Sequence, residues 1–109
     1  MSMQTKLMKI ADALGGITGL KVGHYEYYGN DYPYCVWAES REQSSSEGDN
    51  FKNEQAVQGT IDFFTKTEFD TFVDSIQNAL KTARISFYLN SVQYEEETGF
   101  IHYEWVFGV

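Results

Sequence analysis

The residues best suited to chemistry are two histidine-glutamate pairs, His24 with Glu26 and His102 with Glu104, which contain both histidines of the chain. Each histidine precedes its glutamate by two residues, so on a β-strand both side chains of a pair point to the same face. Two such pairs on adjacent strands could supply four ligands to zinc or a similar metal. Polar positions on exposed strand faces explain the same pattern without a metal, and we favour this simpler interpretation.

No other pattern in the sequence indicates an enzyme. A zinc deaminase also uses a His-x-Glu motif, but it requires a Pro-Cys-x-x-Cys partner, and the stretch that begins at Pro33 contains only Cys35. The sequence lacks the nucleophile elbow, the phosphate-binding loop, the dinucleotide-binding glycine motif and the zinc-protease helix motif. Cys35 lies in an apolar strand, where a cysteine is more often a small hydrophobic residue than a nucleophile. Glu95, Glu96 and Glu97 form a charged turn. We therefore predict no catalytic residue, no cofactor and no enzymatic activity.

The composition indicates one small, acidic and aromatic-rich domain over residues 1–109. A chain of this length buries roughly 60 to 65% of its unfolded surface and needs no metal or disulfide to form a core. With 8 basic and 16 acidic residues the net charge is -8, and the absence of a basic cluster argues against tight nucleic-acid binding. The single cysteine cannot form an intramolecular disulfide. We see neither a signal peptide nor a membrane span, which predicts a cytoplasmic protein or one assembled in the cytoplasm.

The hydrophobic periodicity predicts two helices that cover one face of a sheet. Apolar residues spaced by three and four from Met3 to Leu14 predict a first helix that ends at Gly15 with a left-handed cap. A second helix is predicted from Phe69 to Ala83, with Thr67 as N-cap and Asp70 three residues later.

Five strands are predicted around these helices, in the order α-β-β-β-α-β-β. They cover residues 20–28 with a bulge at Gly23, 34–39, 54–65, 85–90 and 101–107, and the last two form a hairpin through the Glu95–Gly99 turn. The fold class expected from this order is α+β, with two layers, a mostly antiparallel five-stranded sheet and both helices on one face.

The strand alternation leaves a second sheet face that is unusually apolar. The residues expected to face the helices are Val57, Ile61, Phe63, Ile85, Phe87, Leu89, Ile101, Tyr103, Trp105 and Phe107. The opposite face would carry Phe64, Tyr88, Val92, Phe100 and Val106, together with Thr60, Asp62, His102 and Glu104. Since 17% of the residues are aromatic, more than a small core can easily enclose, we predict that this face contacts another subunit or a partner. A strand phase shifted by one residue, or a long loop folded across the face, would explain the pattern without a partner.

A polar loop is predicted at about residues 40–50, where no apolar residue is present. Loops of this length are often either functional or disordered. A tolerated, solvated loop and a segment that orders on a partner are equally consistent with the composition. In the second case Ser44, Ser45 and Glu47 would be contact residues.

Two segments carry a resemblance to a known family. The run Tyr-Pro-Tyr-Cys-Val-Trp from Tyr32 to Trp37 is followed by a polar loop and then by Gly59 to Lys66, which lead directly into an amphipathic helix. This arrangement resembles the small tail-completion proteins of long-tailed bacteriophages and prophages, which are the tail terminators and head-to-tail joining proteins. The likeness extends from the N-terminal helix to the closing hairpin, although Cys35 stands where an aliphatic residue is commoner.

The resemblance implies a structural subunit that closes into a ring, commonly of six copies, at the end of the phage tail. Its partners would be other copies of itself and other tail or connector proteins. It would be assembled in the host cytoplasm and be located in the virion tail. A ring uses two different patches on each subunit, so the loop and the sheet face need not contact copies of themselves. An acidic bore would let a DNA duplex pass without holding it.

Two other functions remain open from the residues. One is a small cytoplasmic dimeric binding module with an aromatic-lined ligand cleft between sheet and helices. The other is a metal-dependent enzyme that uses the two His-x-Glu pairs.

Overall fold

The computed structural model describes residues 2–29, 31–42 and 56–109. Two helices and five strands follow one another in the predicted order, which confirms the α+β class. They are α1 (Met3–Gly15), β1 (Lys21–His24), β2 (Tyr34–Glu42), β3 (Val57–Thr65), α2 (Phe72–Thr82), β4 (Ser86–Tyr94) and β5 (Ile101–Gly108). Residues 40–42, which were expected to begin the polar loop, belong to β2. The rest of that loop, including Ser44, Ser45 and Glu47, lies outside the described residues.

The five strands form one mixed sheet with β3 at its centre. The spatial order is β1-β2-β3-β5-β4. All neighbouring strands are antiparallel except β1 and β2, which are parallel. β1 and β2 therefore begin at the same end of the sheet, and residues 25–29 and 31–33 lie between them. The predicted hairpin of the last two strands is present, with Gly99 at φ 78 in its turn.

The chain folds back directly after β1, which explains why β1 is shorter than predicted. A Cβ added at Gly23 would lie 2.2 Å from the carbonyl oxygen of Glu26, so glycine is required where the chain folds back so closely. The register from Lys21 to His24 is unbroken. The predicted bulge at Gly23 is therefore wrong.

The core lies between the two helices and one face of the sheet. β3 alternates strictly between buried and half-buried residues, in the predicted phase. The predicted inward residues Trp105 and Phe107 are fully buried, and the Trp105 indole donates a hydrogen bond of 3.0 Å to Gln77 in α2. Leu89 was also predicted to be inward, but it is 47% exposed, since β4 is an edge strand.

Both helix boundaries differ from the prediction, for local reasons. α1 continues through Gly15, and its cap is Gly16 in the right-handed region (φ -80), so the predicted left-handed cap at Gly15 is wrong. The positive φ of this corner occurs at Gly19 instead. None of the described helices is long and apolar enough to cross a membrane.

α2 begins at Phe72, three residues later than predicted, because Asp70 acts before the helix and not inside it. The Asp70 carboxylate accepts the backbone N–H of Phe72 (2.9 Å) and the hydroxyl of buried Thr65 (2.6 Å). Thr67 donates its backbone N–H to the Thr65 hydroxyl and does not cap the helix. The Asp70 side chain thus joins the end of β3 to the start of α2.

Candidate interaction surface

The sheet face opposite the helices, here called the open face, is covered by neither helix. Cross-strand partners share a face, and the register places on this side Tyr34, Val36, Ala38, Gln58, Thr60, Asp62, Phe64, Tyr88, His102, Glu104 and Val106. Most of them are half-buried, and Tyr88 is 57% exposed. The face therefore presents rings and methyl groups with a polar band in the middle.

Six rings in stacked, tilted and edge-on contacts form a cluster at one end of the open face, here called the aromatic cluster: Tyr27, Tyr32, Tyr34, Phe64, Phe100 and His102. Phe64 is at its centre, with ring centroids 4.9 Å from Tyr34, 4.3 Å from His102 and 5.7 Å from Phe100. Contacts of this kind contribute about 0.5–1.5 kcal/mol per pair beyond the buried area. The structure thus brings Phe64 and Phe100 together, and their rings already stabilise a single subunit.

The polar band crosses the middle of the open face from β3 to β4. Asp62 Oδ1 lies 2.7 Å from His102 Nε2, and the amide of Asn90 donates a hydrogen bond of 2.7 Å to Glu104. Burial raises the pKa of Asp62, and the negative charge of Glu104 adds to the increase, while the contact with His102 opposes it. The ionised form of Asp62 is thus disfavoured in the folded chain.

Near its opposite end the open face carries an apolar pair, Tyr88 and Val106, here called the apolar end, with Gln58, Ser86 and Gly108 beyond it. Val106 is paired across the sheet with Thr60 on one side and Tyr88 on the other. Tyr88 and Val106 therefore lie side by side, on the predicted face, beyond the polar band.

Val92 was predicted on the open face, and this placement is wrong. The pairing of β4 with β5 shifts between Leu89 and Ser91, which leaves Asn90 as an extra residue in β4. After this bulge Val92 pairs with Tyr103, on the helix side of the sheet. Val92 is nevertheless 49% exposed.

The two His-x-Glu pairs do not form one site. His24 is on β1 and His102 is on β5, with β2 and β3 between them. Neither histidine uses its own motif partner, because His24 Nε2 lies 2.7 Å from Glu39 and His102 contacts Asp62. In residues 2–29, 31–42 and 56–109, no three His, Cys, Asp or Glu side chains are grouped so that they could hold a metal ion.

A smaller cluster surrounds Glu39, beside a cleft of about 260 Å³ between α1 and the sheet. The Glu39 carboxylate contacts the His24 ring and accepts the hydroxyl of Tyr25, and His24 stacks on both Tyr25 and Trp37. Burial tends to raise the pKa of Glu39, but the contacts with Tyr25 and His24 outweigh it, and the net pKa is lowered. Tyr25 has φ 73, a conformation that is uncommon for a residue with a side chain.

Cys35 is fully buried in β2. Burial, and to a lesser degree the charge of Asp62, raises the pKa of its thiol far above the ordinary value. The thiolate needed for nucleophilic attack is therefore disfavoured at this position.

No family model matches the chain, and no curated protein matches its sequence significantly.

The sequence interpretation placed the exposed aromatic residue Phe69 in the wrong environment. It was assigned to the apolar stripe of α2, but it lies before the helix, at φ 58, and is 87% exposed. Asp70 carried a signal for this position, since an aspartate two residues before the first helical N–H is a common cap. With Asp70 outside the helix, Phe69 cannot belong to the buried stripe.

Proposed function

We propose that this chain is a structural subunit that assembles with copies of itself, as the resemblance to phage tail-completion proteins implies. The assembly would be a ring in the virion tail, formed in the host cytoplasm, with tail-tube or connector proteins as further partners. The observation that supports this most directly is the open face, on which neither helix packs and which carries the aromatic cluster at one end and Tyr88 with Val106 at the other.

The aromatic cluster and the apolar end, which lie on either side of the polar band, favour a protein partner over solvent. Apolar patches on the surface of a small domain commonly mark association sites. The polar band would lie inside such a contact, where the contacts of Asp62 with His102 and of Glu104 with Asn90 offset part of the cost of removing these carboxylates from water. A net charge of -8 also agrees with a ring that does not hold DNA tightly.

Assembly can be tested with the variant Val106→Lys. A lysine in the middle of the apolar end would have to be desolvated in a contact, whereas in a free subunit its long side chain can reach water. Native mass spectrometry and light scattering over a concentration series should show the wild-type chain as an oligomer and the variant as smaller species. Asn78→Lys, exposed on α2, is the matched control and should assemble like wild type.

The result needs a check of folding, because Val106 is half-buried. Circular dichroism should show that the variant retains the wild-type spectrum. Normal assembly by folded Val106→Lys protein would refute a role for the apolar end of the open face.

The tail role can be tested separately by inactivating the gene in the genome that carries it and inducing particles. Electron microscopy is expected to show tails of uncontrolled length, or filled heads without attached tails. Complete particles with joined tails of normal length would refute the tail proposal, whatever the oligomeric state of the purified protein.

The cleft beside Glu39 favours a second candidate, a small ligand-binding module. Leu7 and Met8 form an apolar wall of the cleft, opposite an aromatic and carboxylate wall, which suits an amine with an apolar body. Both Glu39 oxygens already have partners, which weakens this candidate. Titration with phenethylamine, followed by NMR shifts around Trp37, tests it, with phenylacetate as the control of opposite charge.

A further inference from the structure

The outer edge of β4 lacks most of the features that normally protect an edge strand from pairing. Natural edges are usually short, or interrupted by charges, proline or a β-bulge. β4 has nine residues, Ser-Phe-Tyr-Leu-Asn-Ser-Val-Gln-Tyr, with no charged residue and no proline, in a chain of which 22% is charged. Its one protective feature is the bulge at Asn90. The other sheet edge, β1, has four residues that include Lys21 and His24.

Exposed apolar side chains lie on both faces of this edge. Tyr88 is on the open face, whereas Leu89, Val92 and Tyr94 are on the helix side, where they are 47%, 49% and 65% exposed. A partner that covered only one face would leave the other set in water. An added strand would cover both sets and would satisfy the outward backbone groups at the same time.

The sequence of β4 and its flanks is complementary to itself in the antiparallel direction. The bulge determines which residues of β4 share a face. If a second β4 pairs with the first so that Leu89 lies opposite Val92 of the second copy, side chains on the helix side of one copy lie opposite side chains on the helix side of the other. In that register Phe87 lies opposite Tyr94, so apolar side chains meet on the helix side of both copies.

The same register brings opposite charges together at both ends. Arg84, exposed just before β4, would lie near the acidic Glu95–Glu97 turn of the second copy, and the two-fold axis repeats this contact. Between these ends the strand is uncharged, so two chains of net charge -8 can meet there without opposing acids.

We propose that β4 is a two-fold seam that pairs two copies of this chain edge to edge, giving a continuous ten-stranded sheet. The seam goes beyond the proposed function: a two-fold contact joins two copies only, and a ring would need a different patch, such as the open face.

The seam is tested by sedimentation equilibrium of the purified full chain up to about 1 mM, a range that detects weak association. The wild-type chain is expected to form dimers. Val92→Lys places a charge on the edge and should weaken dimerisation at least roughly tenfold. Thr82→Lys, exposed at the end of α2, is the matched control and should dimerise like wild type.

A charge exchange tests the two-fold register without changing the strand itself. Arg84→Glu should weaken dimerisation, since two acidic ends would then face each other. Glu95→Lys with Glu97→Lys should weaken it as well. The triple variant that carries all three changes should recover most of the lost affinity.

Three results would overturn the seam: a wild-type chain that stays monomeric at the highest concentration, a folded Val92→Lys protein with unchanged dimerisation, or a triple variant that is weaker than both partial variants. The consequences for the proposed function are separate. If Val106→Lys protein loses the larger assemblies but still forms dimers, the open face is the surface affected. If Val92→Lys protein loses the dimers but keeps the contacts of the open face, β4 is the surface affected.

Discussion

The most direct test of the packing is Gly59→Ala in β3. A Cβ at this position would lie 2.2 Å from the carbonyl oxygen of Ala38, 2.8 Å from Cα of Glu39 and 2.6 Å from the ring of Phe107. Two of these neighbours are backbone of the adjacent strand, so they can move only if the pairing of β2 and β3 opens. Overpacking a core usually costs about 1–3 kcal/mol, and we expect the upper end of this range.

In a domain of this size, 3 kcal/mol corresponds to a fall in Tm of roughly 12 °C, at about 4 °C per kcal/mol. The measurement is thermal and urea unfolding followed by circular dichroism. Gly15→Ala is the matched control, because no atom beyond its chain neighbours and its own helix backbone lies within 4 Å of the added Cβ, and the residue is in the last turn of α1. This control should be neutral or stabilising by up to about 1 kcal/mol.

A Tm of Gly59→Ala within a few degrees of wild type would refute the close approach of β2 and β3. Shortening Phe107 should not rescue the variant, because the contacts with the β2 backbone would remain. A rescue by Phe107→Leu would show that the ring alone determines the cost.

Three further outcomes follow from the described contacts. Asp70→Ala should destabilise the chain by about 1–3 kcal/mol, since the N–H of Phe72 and the buried hydroxyl of Thr65 both lose their acceptor; urea unfolding measures this, and no change would contradict the cap. The pKa of Asp62 is raised in the folded state, so its ionisation lowers the stability of the wild-type chain as pH rises. The free energy of unfolding of Asp62→Asn should therefore increase relative to that of wild type between about pH 4 and neutrality, and a decrease relative to wild type would contradict the direction of the pKa shift. Cys35 should react with a thiol reagent only after unfolding, and rapid labelling of native protein would contradict its burial.

The sequence was most informative where one face of an element is buried. The alternation of β3 predicted its inward residues and its end at Thr65, because a strand buried on one side must keep period two, although the strand begins at Val57 and not at residue 54. The hairpin of the last two strands was equally clear, owing to the glycine at Gly99 between two alternating runs.

The prediction failed where contacts distant in sequence determine the local structure. The bulge at Asn90 moves Val92 to the other face, and the alternation of β4 gave no sign of it, since apolar residues occur in both phases. The parallel β1 and the aromatic cluster depend on the path of residues 25–29 and 31–33, which bring Tyr27 and Tyr32 against rings of the sheet and of the last turn. A run of polar aromatic residues does not reveal that path.

The candidate surface was predicted in outline. Phe64, Tyr88 and Val106 occur on the expected face, but the sequence could not show that Phe64 is already packed against other rings of its own subunit. Charge substitution at Phe64 would therefore disturb the fold as well as any contact. Val106 and Val92 separate the two contact surfaces more cleanly.

The central position of β3 has a consequence for deuterium uptake. Its backbone is paired with β2 on one side and β5 on the other, so its amide hydrogens should exchange only when the sheet opens. The outer amides of β4 lack such a neighbour in a single copy, and their exchange should slow as copies pair. One exchange experiment would thus report two quantities: the exchange of β3 amides measures opening of the sheet, and the exchange of β4 amides measures pairing between copies. The β3 rate serves as the reference for the β4 rate within the same sample.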